Sequence, residues 1–265
     1  VATRILHVSD LHVGAHDERD VEAGLARLVE RLEPQLVVAS GDLSHRGRLA
    51  QLEHAAGFLR SLGPPVLAVP GNHDLPHTPA RFFRPWAVFE RVWETTEPVA
   101  SLPGLHVVGT NSARPLRYQS GGLGGGRLER AVARLGEAEP GALRVAVLHH
   151  HLVGAPWRAA NKRPVARRKD VLHALAAAGA DLILGGHIHQ TTVCERHDFE
   201  VVGNETRTTV LVTAPGFGQP RPRRLGEARG VHVHEADSEA IVVRTYGWSG
   251  GDWTPAAERR FPRSR

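Results

Sequence analysis

Asp10, His12, Asp42, Asn72, His149, His187 and His189 are oxygen and nitrogen donors, and each stands just beyond a short apolar run. The runs occupy residues 5–8, 36–39, 66–69, 145–148 and 182–184. They lead into Asp10-Leu11-His12, Gly41-Asp42, Gly71-Asn72-His73-Asp74, His149-His150-His151 and Gly185-Gly186-His187-Ile188-His189. Carboxylate, imidazole and amide donors together suit a divalent transition metal. In an extended strand, positions i and i+2 point to one side, so Asp10 and His12 can chelate one ion. Asp42 can place one oxygen on each of two ions and so bridge them. Asn72 ligates without adding charge. His187 and His189 repeat the i, i+2 spacing and can serve one ion each if the chain kinks at its strand end. With one of the three consecutive histidines, these make enough ligands for two ions roughly 3.5–4 Å apart, with positions left for water and substrate.

Donors so far apart in the chain meet only if the apolar runs are strands that deliver their C-terminal ends to one crevice, as in open α/β sheets. The segments between them fit. Val21, Leu25, Leu28, Val29 and Leu32 fall on one helical face, as do Leu52, Ala56 and Leu59. Phe82, Phe83, Trp86, Phe89 and Trp93 form an aromatic-rich helix or irregular segment, and residues 105–109 read as a further strand. The glycine run 121–126 follows no dinucleotide or P-loop pattern and reads as a mobile surface loop; Leu128, Val132 and Leu135 suggest a helix after it. Beyond His189, residues 210–213, 231–234 and 241–246 suggest antiparallel strands. No internal repeat or low-complexity tract is present. The expectation is an α/β sandwich in a single domain, 1–265, whose second half is rich in β-structure.

The chain has 265 residues, 41% of them hydrophobic, near the upper end of what one core supports. No stretch reaches the roughly 20 apolar residues of a transmembrane helix, and no secretory pattern opens the chain. A cytoplasmic location is the expectation. The single cysteine, Cys194, supplies neither an internal disulfide nor a thiolate cluster, so any metals are held by nitrogen and oxygen. The formal net charge is +5, and nearly all the cations are Arg; Lys162 and Lys169 are the two lysines. Arg158, Lys162, Arg163, Arg167, Arg168 and Lys169 crowd one segment, and Arg221, Arg223, Arg224 and Arg229 another. The segment 156–169 lies between His149 and His187 and reads either as a rim that guides an anionic phosphate ester, through Arg158 and Arg163, or as a solvated loop. The same pair of readings holds for the segment with Arg224. The remaining histidines, among them His7, His232 and His234, read as packed or surface residues, and His45 as either a site-lining residue or part of a surface turn.

The ordered set Asp-x-His, Gly-Asp, Gly-Asn-His-Asp, His-His and Gly-His-x-His resembles the calcineurin-like metallophosphoesterase superfamily, from Asp10 to His189. Within it, Gly41-Asp42-Leu43-Ser44-His45-Arg46-Gly47 looks most like the cyclic-nucleotide phosphodiesterase branch, and Arg223-Arg224-Leu225-Gly226-Glu227 is similar to a loop of that branch. The resemblance implies a metallophosphoesterase-type α/β/β/α sandwich of two mixed sheets flanked by helices. It implies two divalent ions (Mn, Fe or Zn), one held by Asp10, His12, Asp42 and His189, the other by Asp42, Asn72, His149 and His187. His73 would donate a proton to the leaving oxygen, and Asp74 would orient its imidazole. Relatives often carry His-His-Pro where this chain has His149-His150-His151-Leu152; aligning from the strand makes His149 the ligand, with His150 the alternative. The implied reaction is phosphodiester hydrolysis by a metal-bridging hydroxide, first on a cyclic nucleotide or other small diester. A phosphomonoesterase, a pyrophosphatase or a nuclease would use the same residues, and a nucleic-acid partner is less favoured. A non-catalytic scaffold would have lost ligands or the proton donor, and all are present.

Overall fold

Each apolar run that leads to the donors is a β-strand, and the alternation of its side chains between two faces sets the layers of the molecule. The computed structural model describes residues 2–15, 19–154, 162–198, 208–218 and 229–263. One sheet contains β1 (Thr3–Val8), β2 (Leu36–Ala39), β3 (Val66–Ala68), β10 (Gly230–Ala236), β11 (Ala240–Trp248) and β12 (Trp253–Pro262), in the order β12-β11-β10-β1-β2-β3. The other contains β4 (Val99–Leu102), β5 (Leu105–Gly109), β6 (Leu143–Val147), β7 (Leu182–Gly185), β8 (Thr192–Glu195) and β9 (Val210–Thr213), in the order β4-β5-β6-β7-β9-β8. Both sheets are mixed: β1, β2 and β3 run parallel, as do β5, β6, β7 and β9, and the outer strands join antiparallel.

The inner faces meet in a core of Ile5, Val38, Val107, Val145, Leu184, Val212 and Ile241, among others. On the outer face of the first sheet, α1 (Arg19–Leu32), α2 (Leu49–Ser61) and α4 (Ala87–Trp93) bury Leu25, Leu28, Leu52, Leu59 and Phe89 against Leu6 and Val8. On the second, α5 (Arg127–Leu135) and α6 (Arg168–Ala177) bury Leu135, Leu172 and Leu175 against Val108 and Ile183. The layers are therefore α/β/β/α. The short helix α3 (Ala80–Phe83) lies outside this stack, with Phe83 82% exposed. Among the described residues, no helix is long and apolar enough to cross a membrane.

The structure differs from the sequence reading in identifiable places. β9 pairs parallel with β7 and antiparallel only with β8. Its residues are all buried, and a strand covered on both faces gives a continuous apolar run that carries no sign of direction. Arg168 and Lys169 are not loop residues but the first turn of α6, whose buried face is Val171, Leu172 and Leu175. β12 has exposed Pro255, Ala256, Glu258, Arg259 and Arg260 on a sheet edge, a composition with no strand signal but one that blunts an edge against aggregation.

His7, His232 and His234 occupy the inner face between the sheets and are fully buried. His7 pairs with Ser40 Oγ at 2.9 Å, and His232 with the hydroxyls of Thr245 and Thr191, both at 3.1 Å. Burial lowers all three, His232 from 6.5 to about 4. Between those pH values the unfolded chain binds protons that the folded chain refuses, so stability falls as pH falls, by about 1.4 kcal/mol per unit for each such histidine. The expected result is an acid limb in Tm that flattens in His232→Gln and in His234→Gln. An unchanged limb in both variants would remove these histidines as its cause.

Candidate metal centre

At the C-terminal ends of β1, β2, β3, β6 and β7 the chain turns sharply, and the turns set the donor directions. Asp10, His12, Asp42, His187 and His189 all have left-handed backbone, with φ of 55°, 50°, 53°, 74° and 56°. Non-glycine residues seldom adopt this conformation, and it costs on the order of 1–3 kcal/mol each, so it persists where the surroundings enforce it. Asp10 and His12 are thus not on an extended strand: β1 ends at Val8, and the two side chains converge because both residues turn left-handed. Gly41, φ 97°, permits the approach behind Asp42, since a Cβ there would lie 2.7 Å from Gly71 N and from His149 Nδ1.

Two principal groups of donors form, with a third beside them. Asp10, His12 and His189 share one, and Asp42, His149 and His187 another, while His12 also groups with His45 and His73; in each the ligand atoms lie within 4.8 Å of one another. His189 Nε2 lies 3.1 Å from Asp10 Oδ1 and 3.2 Å from His12 Nε2. Asp42 Oδ2 lies between the groups, 3.8 Å from His12 Nε2 and 3.4 Å from His149 Nε2. Asp42 Oδ1 accepts the His73 backbone N–H at 2.7 Å. Oδ1 is thus hydrogen-bonded, whereas Oδ2 has no hydrogen-bond partner among the described residues. Asn72 is fully buried, and its amide has no hydrogen-bond partner among the described residues.

The surrounding bonds aim these atoms. His149 Nδ1 donates to the Ser40 carbonyl at 2.8 Å, which leaves Nε2 for Asp42. Asp10 Oδ2 accepts from Ser9 Oγ at 2.7 Å and from His187 N at 3.0 Å, which leaves Oδ1 toward His189. Of the three consecutive histidines, His149 joins the Asp42 group, whereas His150 Nδ1 pairs with Ser112 Oγ at 3.0 Å.

Whether a divalent metal fits can be judged from the buried atoms. Among the described residues, Asp10 Oδ1, Asp42 Oδ2, Asn72 Oδ1, His149 Nε2 and both His187 ring nitrogens are buried without a hydrogen-bond partner. Native interiors rarely leave such atoms unpaired, because each costs about 1–3 kcal/mol. Here they converge. Burial, opposed by the neighbouring carboxylates, keeps His12 and His187 low and therefore neutral, with lone pairs free. Although burial alone would lower His149, the Asp42 carboxylate raises it to about 9, and a bound cation would replace that proton. The donor set fits a divalent metal site.

His73 is partly buried beside this centre, its ring edge-on to His12 at 4.6 Å and to Tyr118 at 5.1 Å. Its Nδ1 bonds the His45 carbonyl at 3.0 Å, which leaves Nε2 as its working nitrogen. The expected partner Asp74 does something else. Its carboxylate accepts from Gly71 N at 2.8 Å, Ser44 N at 2.8 Å, Ser44 Oγ at 2.9 Å and Leu43 N at 3.2 Å. These bonds tie the loop after β3 to the loop after β2 and turn the carboxylate away from the adjacent ring. The orienting role assigned to Asp74 is corrected accordingly: a backbone carbonyl holds His73, and Asp74 fixes the loops that carry Asp42 and Asn72. Burial, then the nearby Asp42 charge, pushes Asp74 up to about 6.

Arg158 and Arg224 lie outside the described residues. Arg163 is exposed, and its backbone bridges to Ser120. Among the described residues of that segment, the buried cation is Lys162, 5% exposed. After burial, its charge is the largest cause that lowers His187, and it is felt at His73, His150 and His151 as well. Its place within a basic cluster was the one sequence signal it had. His45, which stacks on His73 at 5.6 Å, and Tyr118, which carries Arg81 over its ring at 4.9 Å, also line the centre. Tyr118 had no signal at all, since it stands in a segment without periodicity.

Comparison with known proteins gives the family and the fold. The calcineurin-like phosphoesterase family model matches residues 3–191. A probable cyclic nucleotide phosphodiesterase of Synechococcus sp. is 31% identical over 198 residues, covering 72% of this chain and 70% of that protein. A glycerophosphodiester phosphodiesterase of Enterobacter lignolyticus is 36% identical over 80 residues, 26% of this chain and 29% of that protein. Among solved structures, the purple acid phosphatase PPD1 of yellow lupin superposes with a TM-score of 0.72 at 13% identity, over 99% of this chain and 54% of that one. GAP50, the anchor in the inner membrane complex of Plasmodium, superposes with a TM-score of 0.65 at 12% identity, over 100% of this chain and 90% of that one. These two likenesses concern the fold.

Proposed function

The chain belongs to the calcineurin-like phosphoesterase family and is a metal-dependent phosphoester hydrolase, and from that premise we propose that it hydrolyses small phosphodiesters at a two-metal centre. The observation that carries the proposal is Asp42 Oδ2, buried, unpaired and placed between two groups of donors. Asp10, His12, Asp42 and His189 would hold one ion; Asp42, Asn72, His149 and His187 would hold the other. When bound, two such ions (Mn, Fe or Zn) supply the charge that activates water and neutralises phosphoryl oxygens.

The remaining steps belong to the chain. Lys162 adds a buried positive charge that favours an anionic ester near His187. His73, held through Nδ1, presents Nε2 and in its protonated form gives a proton to the departing oxygen. Asp74 keeps the Asp42 and Asn72 loops in register. A scaffold without catalysis has no use for a complete donor set at strained backbone positions, which disfavours that reading.

The preference for a diester, with a cyclic nucleotide first, rests on the motif at residues 41–47 and on the named activity of the two relatives. The test is competition between a diester and a monoester with the same leaving group. The expected result is faster turnover of the diester, by about tenfold or more in kcat/KM. Faster turnover of the monoester would reverse the assignment and make the chain a phosphomonoesterase.

A further inference from the structure

The loop between β5 and α5 walls the metal centre at one end and holds an arginine-lined cavity at the other. At the first end, Ser112 Oγ pairs with His150, Gly121 packs against the His150 ring, and Tyr118 meets His73. At the other, Arg114, Pro115, Leu116, Gly125, Arg127 and Arg130 line a cavity of about 490 Å³, with no acid among the described residues of its wall. The size is that of a small-molecule site.

The cavity holds more positive charge than its supports neutralise. Glu97 takes Arg130 in a two-pronged pair at 2.9 and 3.0 Å, Arg127 at 3.6 Å and Arg134 at 4.0 Å. Arg114 has no ion-pair partner among the described residues. One carboxylate thus serves three guanidinium groups while a fourth stands beside them. Arg127 is partly buried, and its pKa is lowered, first by burial and then, against Glu97, by Arg130 and Arg114. Arg114 and Arg127 are therefore close enough to repel. Packing of like charges in a partly dry cavity is costly unless an anion joins them.

The glycine run lies against these arginines. A Cβ at Gly126, φ 77°, would lie 3.1 Å from Arg130 Nη1, and one at Gly122 would lie 3.2 Å from Arg114 Cδ. The Gly125 carbonyl accepts from Arg130 Nη1 at 3.1 Å. Nothing lies within 4 Å of a Cβ placed on Gly124 or Gly125, so the cavity mouth is open.

We propose that this cavity is a phosphate-binding subsite, in which Arg114 and Arg127 take the oxygens of a phosphate group and Arg130, braced by Glu97, completes the cradle. Planar guanidinium forks match phosphate geometry. The phosphate comes either from a second, non-scissile phosphate of the substrate or from a free phosphorylated effector. The first source rests on the hydrolase reading; the binding itself does not.

Titration of the metal-loaded protein with inorganic phosphate at physiological salt provides the test. Two sites per chain are expected, one at the metal centre and one at the arginines. In Arg114→Gln/Arg127→Gln the second should weaken by at least about tenfold, and Arg114→Lys/Arg127→Lys should recover part of it, which separates loss of charge from misfolding. A single site in the native protein that the Gln variant retains unchanged, or two sites retained in the Gln variant, would overturn the proposal. Failure of the hydrolase reading would look different, with the metal-centre site or all turnover missing while the arginine site persists. To identify the source, a diester with a second, non-scissile phosphomonoester is compared with the same diester lacking it. A KM lower by about tenfold for the first, lost in the Gln variant, assigns the phosphate to the substrate. Equal KM values, with added phosphate altering turnover of the plain diester in the native protein but not in the variant, assign it to an effector.

Discussion

Replacing Asp42 with alanine should take the metal content from two ions per chain to none and turnover to background. The expectation follows from the position of one atom. Asp42 Oδ2 stands within 3.8 Å of His12 Nε2 and 3.4 Å of His149 Nε2, so its loss removes a ligand from both groups at once. It also removes the negative charge that lets two cations sit close together, and their mutual repulsion then acts unopposed. Asp42 Oδ1 accepts the His73 N–H, so the variant frees that loop as well. The loss in turnover should exceed the about 10²–10³-fold that a single electrostatic donor is worth. Metal analysis of native and variant proteins, with turnover of one diester, measures both effects. One ion per native chain at saturating metal, or one ion kept by Asp42→Ala, would remove the bridge from the account. Asp42→Asn refines it: the amide keeps the shape and the His73 bond but lacks the charge, so at least one ion should still be lost.

The convergence of these donors could be read from the sequence because metal chemistry depends on residue type, and Asp, His and Asn after apolar runs are conspicuous. The backbone that aims them could not. The i, i+2 spacing of Asp10 and His12 suggested an extended strand, but both residues are left-handed, and nothing in a side chain's identity announces a positive φ outside glycine. Asp74 shows a second limit. A carboxylate next to a histidine in sequence invites pairing, yet it bonds four groups of the neighbouring loops, while a main-chain oxygen that any residue could supply holds His73. The glycine run is a third case. Its composition shows freedom, and only the packing shows that Gly122 and Gly126 lie against Arg114 and Arg130. At the level of the fold, buried strands such as β7 were legible from apolar runs. The edge strands β4 and β12 were not, because β4 alternates exposed and half-buried residues, β12 is largely exposed, and each is held by pairing with the adjacent strand of its hairpin, β5 and β11.

His73→Ala should keep both ions and lose most of the turnover of substrates with poor leaving groups. The ring lies beside the donors without belonging to either of the two principal groups, and its Nδ1 is already engaged with the His45 carbonyl. That bond leaves Nε2 to carry the transferable proton and supports the imidazolium form, while burial pulls the other way and keeps His73 below its ordinary value. Such a group gives up its proton readily. General-acid catalysis is typically worth about 10²–10⁴-fold, and the loss for an alkoxide leaving group should be of that order. A nitrophenolate is stable as an anion and needs little protonation as it departs, so with that substrate the loss should shrink. The ratio of the two losses is the informative quantity, because ejection of metals would depress both substrates alike. Ions lost from His73→Ala would show that the His12, His45 and His73 cluster helps hold metal. Equal losses for both leaving groups with the ions retained would assign His73 to charge stabilisation on the phosphoryl oxygens and withdraw its role as proton donor.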